Sequence, residues 1–274
     1  MTLKQTAAIR FMRYVLLFAA WVLLAGAARP PAARPYLLHL NGIGGERICD
    51  HTLIDGLAQG GFKADVEFYD WTGGQIGIEA LQGRERHETE ARKIADKLAG
   101  QFRAHPNTPI YMTSHSGGCG LAVWALELLP DEVKVDYVLL FAPALCPDYN
   151  LTKALRHVNK KAYVFSSEYD QIVLGTGTKL FGTIDGQRVE AAGLNGFVKP
   201  DTADAEQYKK LIAQPYKLVW LREYGSAGSH ISALGTRFSR GYVAPLLLNG
   251  SPPKDKEIDV AASTQPARPV GPLP

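Results

Sequence analysis

Six short apolar runs punctuate this chain, at residues 36–40, 64–71, 109–113, 135–142, 161–166 and 216–224, and longer segments of helical character separate them. Several runs place β-branched or aromatic residues at consecutive positions, as strands covered on both faces require. Between the second and third runs, Ile94, Leu98 and Phe102 recur every four positions among charged residues over 85–105, the mark of an amphipathic helix. Residues 118–129 are apolar nearly all round and read as a buried helix. Strand-helix alternation of this kind predicts an α/β fold: a mostly parallel central sheet flanked by helices.

The ends of the chain read differently. Lys4, Arg10 and Arg13 precede an uncharged run over 14–28, which closes on the small residues Ala25, Gly26 and Ala27. A basic start, an apolar centre and a small-residue end predict a secretory signal peptide over 1–28. The run is shorter than the roughly 20 apolar residues of a spanning helix. An uncleaved anchor, with membrane association through this segment, remains the competing reading, and either way the protein is expected to be exported. Residues 29–35, with three prolines, read as a linker, and 36–250 as the folded core, a single domain. The proline-rich stretch 251–274 has few large apolar residues and is expected to be a disordered tail.

The formal charge is +3, and the leader holds three basic residues and no acid, so the remainder is balanced. That excludes a nucleic-acid partner on charge grounds. Cys49, Cys119 and Cys146 are an odd set whose spacing fits no zinc pattern; buried small hydrophobes, with at most one bridge, are expected. No H-E-x-x-H, G-K-[ST] or G-x-G-x-x-G is present, so no metal or cofactor is expected.

The stretch 109–120 (P-I-Y-M-T-S-H-S-G-G-C-G) carries the strongest chemical signal. An apolar strand ends, a tight turn of small residues follows, and an apolar helix begins. Ser116 sits at the turn, where a sharp bend would push its hydroxyl out above the sheet edge. Ser114 and Gly118 flank it at the positions where bulky side chains would clash. The Gly117 amide falls at a helix N-terminus, aimed at developing negative charge. The same residues outside a strand-turn-helix context would be an ordinary helix cap.

In these features the chain resembles the α/β-hydrolase family, in its lipase- and esterase-like branches. The elbow of that family is G-x-S-x-G; here Ser114 replaces the first glycine. The resemblance covers nearly the whole core, because the order of motifs agrees as well. It implies that Ser116 is the nucleophile. It also implies that the turn after the first strand, H-L-N-G-I-G-G over 39–45, supplies part of an oxyanion hole: the Ile43 amide, with Gly42 close by, would partner the Gly117 amide. A turn serving only chain reversal is the alternative. The family order of nucleophile, acid, histidine points to Asp170 after the fifth apolar run, with Glu168 and Asp148 as rivals, and to His230 as general base after the sixth. His39, His51, His87, His105, His115 and His157 all precede the acid; His115 is expected to pack around the site. The implied activity is hydrolysis of a carboxylic ester, small or lipid-like, through an acyl-enzyme. A non-catalytic binding protein on the same fold, and an acyltransferase using the same residues, stay open. The long segment 174–201 between acid and histidine, and the loop 72–83, are expected to shape specificity.

Overall fold

Six strands form one sheet in the order β2-β1-β3-β4-β5-β6, with every neighbouring pair parallel. The structure, a computed structural model, describes residues 34–75 and 77–253. The expected leader, nearly all of the linker and most of the tail lie outside the described residues. Among those residues no helix is long and apolar enough to cross a membrane.

The strands are β1 (Tyr36–Leu40), β2 (Asp65–Tyr69), β3 (Ile110–His115), β4 (Val135–Phe141), β5 (Val158–Ser166) and β6 (Leu211–Pro215). The main helices are α1 (Ile48–Gln59), α2 (Arg84–Ala104), α3 (Gly118–Glu127), α4 (Thr152–Arg156), α5 (Val219–Tyr224) and α6 (Ala244–Asn249). Alternate strand residues serve opposite layers. Leu38, Leu40, Met112, Leu140 and Val164 pack with Ile94 and Leu98 of α2 and with α3. Their neighbours Leu37, Tyr111, Leu139, Phe141 and Phe165 pack with Leu53 and Leu57 of α1 and with Trp220, Phe238 and Tyr242. Both faces of the inner strands β1, β3, β4 and β5 are therefore largely dry, which is why those strands read as continuous apolar runs.

One expectation fails. The sixth strand is not 216–224 but Leu211–Pro215, and Val219–Tyr224 is helical. The stretch Y-K-L-V-W-L-R-E-Y looks like a strand by composition, yet Trp220 is buried against Phe238 and Tyr242 while Leu218 and Leu221 face outward. One-sided burial of a single large ring suits a helix turn. The true strand, L-I-A-Q-P, is half-buried and lies at the sheet edge, where a terminal proline is tolerated. Cys49, Cys119 and Cys146 are all unpaired.

From β1 the chain moves outward to β2, then returns across β1 to β3. The crevice beyond the carboxyl ends of β1 and β3 is thus a topological switch point, the place where open α/β sheets bind ligands. The turn 41–45 leaves β1 there, and Ser116 leaves β3.

Candidate active site

Ser116 follows β3 directly and holds φ at 53°, a left-handed conformation that costs a non-glycine residue on the order of 1–2 kcal/mol. Three backbone bonds keep it there: its N–H donates to the Phe141 carbonyl (2.9 Å), and its carbonyl accepts from Cys119 (3.1 Å) and Ala144 (3.2 Å). The turn that brings Ala144 to the elbow contains a second left-handed non-glycine residue, Ala142, at φ 49°. Gly118 is obligatory. A Cβ there would stand 2.3 Å from the Asn41 carbonyl oxygen and 2.8 Å from that of Leu40. Ser114 lies within β3, paired with Leu40 and Leu140, its hydroxyl buried over the Leu139 carbonyl. Its departure from glycine is absorbed because its strand conformation asks nothing unusual of the backbone.

The turn after β1 is braced from two sides. The Trp71 indole N–H donates to the Asn41 carbonyl (2.7 Å), and the Asn41 side-chain amide donates to the Gly42 carbonyl (2.8 Å). Deeper, His39 bridges Thr113 (2.9 Å) and Asp50 (2.9 Å), joining β1, β3 and the first turn of α1. Burial pushes the Asp50 carboxyl up, but the bond and charge of His39 and the Arg47 N–H outweigh it, leaving the carboxyl below its ordinary range. This buried pair could not be found from the sequence, where His39 and Asp50 lie on separate elements with no motif linking them. Trp71 likewise gave no signal beyond its place at the end of an apolar run. Among the described residues, the amides of Gly117 and Ile43 donate to no backbone acceptor. Gly117 caps the N-terminus of α3, where partial positive charge gathers.

Asp170 is buried at the start of a π-helical turn, Gln171–Gly177, just beyond β5. Its Oδ2 accepts from His230 Nδ1 at 2.6 Å. Glu168 and Asp148, the rival acids, are both exposed. His230 comes from the loop after α5, and its side chain is 18% exposed. Because Nδ1 donates to the carboxylate, Nε2 is left as the proton acceptor.

Ser116, Gly42, Ile43 and His230 line one cavity of about 820 Å³, together with Ile48, Val173 and Ile231. No hydrogen bond joins the Ser116 hydroxyl to the imidazole among the described residues; such contacts commonly tighten only when substrate binds. Three apolar side chains ring the mouth, with Ile48 82%, Val173 41% and Ile231 52% exposed. A larger cavity of about 940 Å³, between α2, α3 and residues 181–188, includes neither Ser116 nor His230. All six residues singled out in the sequence thus gather at the switch point: Asp170 reaches it through His230, and Gly117 through the elbow.

Comparison of the sequence with protein-family models finds no match, and comparison with curated proteins finds none either. Among solved structures, a cutinase-like protein from Cryptococcus sp. is 13% identical, with 81% of this chain and 97% of that one covered at a TM-score of 0.42. Est1E from Butyrivibrio proteoclasticus is also 13% identical, with 81% and 90% covered and a TM-score of 0.42. A dienelactone hydrolase from Anabaena variabilis is 18% identical, with 80% and 86% covered and a TM-score of 0.41. Likeness at this level assigns no chemistry, which rests on the residues themselves.

Proposed function

We propose that this chain, whose fold is that of the α/β hydrolases, is an exported serine hydrolase that cleaves carboxylic esters. The observation that carries the reading is one juxtaposition: an imidazole oriented by a buried carboxylate opens onto the same cavity as a serine held in a left-handed turn. A serine hydroxyl is a weak nucleophile unless a base lies near it.

In this reading Ser116 Oγ attacks the ester carbonyl while His230 Nε2 takes its proton. Asp170 stays ionised, holds the Nδ1–H tautomer and stabilises the imidazolium. The carbonyl oxygen, now negative, is received by the Gly117 and Ile43 amides. The loss of one such donor typically costs on the order of 100- to 1,000-fold in rate. The tetrahedral adduct collapses, the C–O bond to the alcohol breaks, and His230 returns the proton to the departing oxygen. Water, deprotonated by the same imidazole, then attacks the acyl-enzyme; the acyl C–Oγ bond breaks, His230 returns the proton to Ser116 Oγ, and the acid leaves. The apolar mouth at Ile48, Val173 and Ile231 suits the hydrocarbon part of a lipid-like ester. The basic-then-apolar leader carries the enzyme out of the cytoplasm.

The test is covalent. The full chain should be labelled by a fluorophosphonate probe, and Ser116→Ala should not be. Labelling that survives in Ser116→Ala, or a wild-type chain that takes no label and cleaves no p-nitrophenyl ester, overturns the reading.

A further inference from the structure

His115 is buried beside the nucleophile, yet the reaction above does not use it. As the last residue of β3, it has a backbone fixed by the elbow. Its side chain leans the other way, toward the loop that carries the base. His115 Nε2 lies 3.0 Å from the carbonyl oxygen of His230, and the two rings are 4.7 Å apart and tilted by 50°. A carbonyl only accepts, so Nε2 must carry a proton. The opposite ring nitrogen faces the turn after β1: a Cβ on Gly42 would come within 2.9 Å of Nδ1. The ring therefore stands as a wedge between the oxyanion turn and the loop of the base.

That loop has little else to hold it. Over 225–232 it reads G-S-A-G-S-H-I-S, and among the described residues its remaining hydrogen bonds, such as Ser226 to Trp220, Ser226 to Ser232 and Ser232 to Ser229, reach no more than six positions along the chain. Among the described residues, two hydrogen bonds tie His230 itself to distant parts of the chain. Asp170 holds the ring, and His115 holds the backbone. A ring gripped at Nδ1 alone can still pivot. Fixing the carbonyl as well sets the direction in which Nε2 points.

We propose that His115 is a positioning residue for the general base: its Nε2–H bond to the His230 carbonyl sets the imidazole against Ser116. The inference rests on the serine-hydrolase reading. Burial, and then the neighbouring His230, hold the His115 imidazole down at about 3, so it stays a neutral donor while His230 cycles through its charged form. A second cation there would oppose protonation of the base.

The experiment compares wild type, His115→Gln and His115→Leu in the full chain, with p-nitrophenyl butyrate turnover and fluorophosphonate labelling rate as readouts. Gln can place its amide nitrogen near the Nε2 position, whereas Leu fills space without a donor. The expected result is a fall of about 10- to 100-fold in kcat for His115→Leu, with KM unchanged within about twofold, because a base misplaced by an ångström loses rate of that order. His115→Gln should recover most of it. If the leucine variant does not fold, His115→Asn, too short to reach the carbonyl, replaces it and should show the same loss. Equal losses in the Gln and Leu variants, or a leucine variant with wild-type kcat, overturn the inference while the hydrolase reading stands. A wild-type chain inert to both probes sinks the hydrolase reading, and this inference with it.

Discussion

The elbow that bears Ser116 and the loop that bears His230 face one cavity but are built on opposite principles. At the elbow the backbone itself is fixed: Ser116 makes three main-chain bonds, and Gly118 leaves no room between α3 and the end of β1. In the loop the chain is small-residue and locally bonded, and side chains from elsewhere, Asp170 and His115, supply the order. The proposed nucleophile is thus held by the fold and the proposed base by its partners.

The contrast can be broken most sharply at the soft side. Asp170→Asn keeps the shape of the contact but permits the wrong imidazole tautomer, and should lower kcat by roughly 10,000-fold with little change in thermal midpoint. A variant within tenfold of wild type would mean that the base is not held this way. On the rigid side, Gly118→Ala should cost about 3 kcal/mol or more, because both clashing atoms are backbone oxygens that cannot swing aside. In a chain of this size that is a fall of roughly 10 °C in Tm. The loop offers the control. Gly228 has φ +74°, and an added Cβ there would meet the Ser167 hydroxyl and the Tyr216 ring, both on side chains. Gly228→Ala should therefore cost only about 1–2 kcal/mol. A melting curve in which Gly228→Ala falls further than Gly118→Ala would reverse the comparison. The smallest effect concerns acid. Unfolded, His115 takes a proton near 6.5; folded, only near 3. Between those values the unfolded state binds more protons, so this residue's share of stability falls as pH drops from 6.5 toward 3. Urea midpoints at pH 8 and pH 5.5 should move further apart in wild type than in His115→Gln; equal spacing would remove the assignment.

How much of this was legible in the sequence follows the same division. The first five strands were readable within a few residues: β1, β3, β4 and β5 because buried parallel strands leave continuous apolar runs, and β2, an exposed edge strand, through Val66, Phe68 and Tyr69 alone. The sixth was not: L-I-A-Q-P at the opposite edge has no aromatic residue, while the neighbouring Trp220 segment imitates a strand by composition. Ser116, Gly117 and Gly118 are contiguous, so the turn announced itself. Asp170 and His230 were found through the order of motifs, and their 2.6 Å contact spans 60 positions. What stayed hidden is what depends wholly on distance through space. The His39–Asp50 pair, the Trp71 brace and the reach of His115 to the His230 carbonyl involve residues that look unremarkable where they stand in the chain.

The left-handed serine has an evolutionary corollary. At position 116 glycine would relax the main chain while serine supplies the hydroxyl of the proposed nucleophile, so on that proposal folding and reactivity rank the two residues in opposite order. A search for sturdier versions of this protein, guided by melting temperature alone, would therefore drift toward molecules that are harder to unfold and chemically inert.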